Sequence, residues 1–143
     1  MKTGIFLFPI LVFVVMSCSV EEKQPPDITG KWMATDSEIY NIDDEGAVYN
    51  KSHHKFWEHE KVIAFNNDKT WEEKHGAVSY RGSWEIQRYK GLGHDRGKFE
   101  WELIMRQSTV SKFFGIQKLD GAYLILHERN DSWNNIITYV KME

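Results

Sequence analysis

The chain has a single cysteine, Cys18, among 143 residues, so no intramolecular disulfide can form. It also lacks a membrane-length hydrophobic run. The apolar stretch from Ile5 to Met16 is broken by Pro9 and falls short of the roughly 18–20 residues a transmembrane helix requires. Neither sign of charge dominates: the formal net charge is −3, and loss of Lys2 takes it to about −4. That mild acidity argues against a nucleic-acid partner, which needs a basic face. No internal repeat is present, and no segment after Cys18 shows a convincing helical period. Catalytic motifs are missing too. There is no Gly-x-Ser-x-Gly elbow and no phosphate-binding glycine loop ahead of a helix. Gly91-Leu92-Gly93 falls between strand-like runs, where glycine serves a turn. Acidic neighbours such as Glu72-Glu73 point to opposite faces of a strand and cannot act together on one bond as a glycosidase pair does. No enzyme and no cofactor are expected. Six histidines raise a metal hypothesis, with His53, His54 and His59 close to Glu58 and Glu60. The spacing of His54 and His59 does not place them on one helix face and strand alternation is unclear there, so a solvated mixed-charge loop is expected and no metal site.

What the sequence does carry begins at its start. Lys2, the apolar run and the small Ser17 before Cys18 together describe a signal peptide over residues 1–17. Val15-Met16-Ser17-Cys18 resembles the lipobox of bacterial lipoproteins. The resemblance implies that the chain is cut before Cys18, that a diacylglycerol and further acyl chains such as palmitate are attached there, and that the membrane is a partner through that lipid. Each buried methylene contributes roughly 0.8 kcal/mol, so two or three acyl chains anchor stably. Residues 18–27 read as a polar tether stiffened by Pro25-Pro26. Ser19 stands where aspartate acts as an inner-membrane retention signal, and Glu21-Glu22 resemble surface-export signals. The expected location is the cell envelope, at the outer membrane, facing the periplasm or the surface.

Residues 28–143 read as one all-β domain. In Val78 to Gln87 every second residue is apolar or glycine, the signature of a strand with one buried face. Phe99, Trp101, Leu103 and Met105 share a face in the next run. Val110, Lys112, Phe114 and Ile116 form a weaker set. Ala122 to Glu128 is nearly continuous in apolar residues, as a strand covered on both sides would be. Asn135 to Met142 closes the chain, with Ile136, Thr138, Val140 and Met142 on one face and Ile137 and Tyr139 on the other. Turn signals separate these runs: Asn66 to Lys69, Tyr89 to Gly97, Asn130 to Asn134, and Asp120-Gly121, a strong short-hairpin signal. Asp36 to Glu58 is expected to be irregular, with strand-like pieces near Ala47–Tyr49. About eight short antiparallel strands in hairpin order imply an up-and-down β-barrel, which removes exposed edges by closing.

Ile28-Thr29-Gly30-Lys31-Trp32 resembles the Gly-x-Trp opening of the lipocalin family. Phe65 to Trp71 resembles a hairpin of small lipocalin-like lipoproteins, with Lys69 where glycine is usual, and Gly82-Ser83-Trp84 resembles the Gly-x-aromatic strand after it. The resemblance spans Ile28 to Met142. It implies that Trp32 closes one end of the barrel, with a late basic residue, Lys141 or Arg129, on its ring. It also implies binding of a small apolar ligand. The long C-terminal helix of larger lipocalins is missing, so an open or flattened barrel is an alternative to a closed one.

Tyr80, Trp84, Phe99, Trp101 and Tyr123 are expected to point inward. They line a ligand pocket or fill a solid core, and composition does not separate the two. The functional expectation is a membrane-anchored, lipocalin-like lipoprotein that binds a small apolar molecule. The alternative is an envelope protein-interaction module or inhibitor with a filled core, using Asn41–His59 and Tyr89–Gly97 as its contact surface.

Overall fold

A computed structural model describes residues 22–90, 98–129 and 133–143. The signal segment and Cys18 lie outside the described residues, as do most of the Tyr89–Gly97 loop and part of the Asn130–Asn134 turn. The described chain is all β, with nine antiparallel strands: β1 (Gly30–Ile42), β2 (Val48–Lys55), β3 (Lys61–Phe65), β4 (Thr70–His75), β5 (Val78–Arg88), β6 (Trp101–Gln107), β7 (Val110–Leu119), β8 (Tyr123–Arg129) and β9 (Asn134–Lys141). Each of β3 to β9 pairs with the next, and β9 returns to pair with β1. Eight strands thus close an up-and-down barrel, and the open or flattened alternative does not apply.

The ninth strand explains the segment expected to be irregular. β1 is long and curved, and β2 and β3 lie end to end along one of its edges. Gly30 to Met33 pair with β3, whereas Asp36 to Ile42 pair with β2. Residues 56–60 make the offset between the two. Asp36 to Lys55 is therefore largely regular strand, not an irregular loop: Asp36 to Ile39 pair with β9 on one side and with β2 on the other. Every residue of β2 is exposed. With water on both faces, its sequence has no need to alternate, so the usual strand signal is absent.

The barrel interior follows the period of two. Trp32, Ala34, Ile63, Phe65, Trp71, Trp84, Leu103 and Met105 all face inward and are at most 5% exposed. On β9 the buried face is Ile137 and Tyr139. A bulge between Ala34 and Asp36 lets β1 keep register with β9 while it bends. Two indoles tie β4 to β5: Trp71 Nε1 donates to the Ser83 carbonyl and Trp84 Nε1 to the Thr70 carbonyl, each at 3.0 Å. Gly82, opposite Trp71, leaves room for the indole and for the close approach of β6: a Cβ there would come 2.9 Å from Trp71 Nε1 and run into the Arg106 carbonyl oxygen.

Two residues expected inside stand outside. β6 begins at Trp101, and Tyr89 N donates to the Glu100 carbonyl across the preceding loop. Phe99 therefore turns onto the outer face. Its ring lies where a Cβ on Gly115 would sit, 2.5 Å away, and 5.3 Å edge-on from His127. On β8 the inward positions go to Leu124 and Leu126, which puts Tyr123 outside at 44% exposure, with Lys118 Nζ 5.2 Å from its ring. Trp84, Trp101 and Tyr80 keep the inward face.

Candidate functional site: the open end of the barrel

One end of the barrel is closed by large side chains. Trp32 donates from Nε1 to the Ile28 carbonyl at 2.8 Å, which draws the segment before β1 under the barrel, and Ile28 is fully buried. Phe65 meets Trp84 edge-on at 5.7 Å. Lys141 is opposite Trp32 in the β1–β9 register, with Nζ 5.4 Å from the indole, within cation–π range. Arg129 pairs with Asn134 at the other end of β8, so the basic residue on Trp32 is Lys141. The end of the tether also contacts this floor: Lys23 forms a 2.8 Å ion pair with Glu100, the residue before β6.

The opposite end is open. It leads to a cavity of about 210 Å³. The inner surface is apolar, made by Trp71, Met105, Phe114, Leu126 and Ile137. Nearer the mouth it becomes polar: Lys61, Glu73, Tyr80, Gln107, Lys112 and Glu128. The cavity is smaller than the roughly 300–1,000 Å³ that encloses drug-sized ligands. It is larger than the roughly 150 Å³ that accommodates benzene. The barrel is thus neither solid nor a wide cup. It has room for a molecule of fragment size.

The polar wall contains two ion pairs, Lys61–Glu73 at 3.5 Å and Lys112–Glu128 at 3.6 Å. Tyr139 faces the same space from β9 and is 2% exposed. Burial raises its hydroxyl pKa well above the ordinary tyrosine value, and the Glu73 and Glu128 carboxylates add to the rise. Both carboxylates therefore act on one buried hydroxyl, which stays protonated. Among the described residues that hydroxyl makes no hydrogen bond to a protein group. On the same face of β9, next to Glu128 in the register, Asn135 has a buried Oδ1 with no partner among the described residues.

At the rim, His54 and His75 each place Nε2 3.6 Å from the same Glu60 oxygen. The Phe56 ring sits between them, 4.7 Å from His54 and 6.2 Å from His75, and packs on the core. Glu60 also accepts the Trp57 backbone N–H at 2.8 Å, and this bond is the first cause of its lowered pKa, with the two imidazoles contributing further. His53 pairs with Asp36 and His59 with Glu58. Among the described residues, no group of three His, Cys, Asp or Glu is arranged to hold a metal ion.

The residues named from the sequence are thus dispersed. Tyr80 lines the cavity near its mouth. Trp84 and Trp101 lie inside but toward the closed end, Trp101 with Arg88 4.3 Å over its ring. Phe99 and Tyr123 are outside. Trp71, Glu73, Glu128 and Tyr139 were not singled out. The signal for Glu73 was present in β4, where Trp71, Glu73 and His75 alternate on one face. Comparisons with models of known families, with curated proteins and with solved structures return no match.

Proposed function

We propose that this chain is a lipid-anchored envelope protein whose barrel holds a small, mainly apolar molecule. The observation that supports the reading best is the one-ended cavity, with an apolar inner surface and a polar mouth. The lipobox at Val15–Cys18 supplies the anchor. The position of the tether supports an orientation as well. Lys23 sits at the closed end, and five residues of chain reach at most about 18 Å. A lipid on Cys18 would hold the closed end toward the membrane and leave the mouth facing away from it. The size of the cavity narrows the ligand to roughly the scale of a substituted benzene, not a sterol or a long acyl chain.

Two measurements test this reading. Trp71 forms part of the cavity wall, so tryptophan fluorescence titrated with toluene and with small aromatic alcohols should change saturably. Leu126→Phe, which fills the space, should abolish the change. No saturable response to any such probe would remove the ligand-binding reading. Metabolic labelling with palmitate should mark the wild-type chain and not Cys18→Ser; label on both would remove the anchor.

A second reading has one observation behind it. Among the described residues β2 pairs only with β1, and Val48 and Tyr49 at its start and Trp57 just after its end are 56%, 47% and 82% exposed. Such an edge accepts a partner's strand. Recovery of a stoichiometric partner from gently solubilised envelopes, lost in Trp57→Asp, would favour it.

A further inference from the structure

The polar wall of the cavity specifies more than size. Compare the two lysine–glutamate pairs of the cavity wall with the lysine–glutamate pairs elsewhere on the surface. Lys23–Glu100 and Lys51–Glu38 close to 2.8 and 2.9 Å, the normal length of a charge-assisted hydrogen bond. Inside, Lys61–Glu73 and Lys112–Glu128 stop at 3.5 and 3.6 Å. Yet the interior carboxylates are the more enclosed, with Glu73 and Glu128 side chains 16% and 14% exposed. A carboxylate this enclosed and held this loosely keeps acceptor capacity that its lysine does not take up and that water or a ligand entering the mouth can.

Further groups point the same way. The Tyr139 side chain is almost fully buried, lines the cavity and donates to no protein group among the described residues. Asn135 Oδ1 is a buried acceptor without a donor, and the Glu128–Asn135 register sets it beside Glu128. The free capacity is therefore mostly that of acceptors. What is missing is a donor with positive charge. The two lysines supply part of it, but Lys112 is 59% exposed at the mouth, and its long stem lets the ammonium move into water while Glu128 stays inside. The walls suit a cation as well, since Trp71, Tyr80 and Phe114 offer aromatic surface.

We propose that the barrel binds a small organic ammonium ion. Its N–H groups lie between Glu73, Glu128 and the Tyr139 oxygen, and its hydrocarbon body rests on Met105, Phe114 and Leu126. The cavity volume sets the body at about one aromatic ring with a short side arm. This inference rests on the ligand-binding reading of the barrel and adds the charge of the ligand to it.

The test uses the full chain in detergent and three probes of matched size and different charge: 2-phenylethylamine, 2-phenylethanol and phenylacetate. Calorimetry at pH 7 should give at least tenfold tighter binding for the amine than for the alcohol, and no measurable binding of phenylacetate. Glu73→Gln and Glu128→Gln, each checked for a native circular dichroism spectrum, should weaken the amine about tenfold and leave the alcohol within twofold. Equal or tighter binding of the alcohol or the anion would overturn the cation assignment while the barrel remained a binding site. So would an unchanged amine affinity in both glutamine variants. No binding of any of the three, nor of toluene, would overturn the cation assignment and the ligand-binding reading together.

Discussion

Tyr139→Phe should make the unliganded protein more stable and the liganded complex weaker. Tyrosine and phenylalanine differ here by one hydroxyl, on a side chain that is 2% exposed and faces the cavity. Burying a hydroxyl without a hydrogen bond costs about 1–3 kcal/mol in proteins. Water entering the open mouth reduces that cost, so the expected gain is at the low end, about 1 kcal/mol. For a domain of this size the midpoint of thermal unfolding should rise by about 3–5 °C. Alkaline pH adds a second signature. The folded state raises the Tyr139 pKa through burial and then through Glu73 and Glu128. Its contribution is therefore intact below the ordinary tyrosine value of about 10 and is lost as pH rises from there through the folded-state value. Wild type should lose stability above pH 10 more steeply than the variant does. Urea unfolding followed by tryptophan fluorescence at pH 7, with thermal scans from pH 7 to 11, measures both effects. A variant destabilised by about 1 kcal/mol or more at pH 7 would show that the hydroxyl has a protein partner, and the same alkaline slope as wild type would show that its pKa is not raised; either result would contradict an unpartnered, enclosed hydroxyl between two carboxylates.

Trp32→Ala should cost about 3–5 kcal/mol, because it empties the closed end and removes the bond to the Ile28 carbonyl; urea midpoints check it. Lys141→Met should cost only about 0.5–1 kcal/mol, since it removes a cation over the same ring and keeps the stem. Gly82→Ala should destabilise by at least about 2 kcal/mol, because its neighbour is backbone and cannot swing aside; a melting point within 1–2 °C of wild type, on the order of a few tenths of a kcal/mol, would contradict the close approach. Asp120 accepts the Ala122 and Tyr123 amides, which lower its pKa, so its contribution is present at neutral pH and is lost as pH falls below about 4. Asp120→Asn should flatten the acid limb of a stability–pH curve.

The strands were legible wherever one face meets the core and the other meets water. Val78 to Ile86 alternates because Trp84 and Gly82 sit against packed neighbours while Ser83 and Glu85 are solvated. The Asp120-Gly121 hairpin was legible from its turn residues. Lys69, standing where the resemblance expects glycine, adopts φ 66°, so the backbone keeps the left-handed turn despite the side chain. β2 was not legible, since a strand exposed on both faces carries no period. Phe99 misled because it continues the inward alternation of β6 in sequence but precedes the strand in space. The candidate site was the least legible part. Its apolar half looks like any core, and its polar half consists of residues such as Glu73 and Glu128 that in a linear reading belong to solvated faces. Only closure of β9 onto β1 brings them to Tyr139.

The most direct test of the barrel as a binding site is a titration of the full chain, with its Leu, Ile and Met methyl groups isotopically labelled, followed by NMR as 2-phenylethylamine is added. The methyl resonances of Leu126, Ile137 and Met105, on the cavity wall, should shift together along one saturable curve, while those of Ile28 and Leu103, buried away from the lining, move little. Shifts confined to Ile42 near β2, or no saturable shift at the cavity wall, would contradict a ligand held inside the barrel.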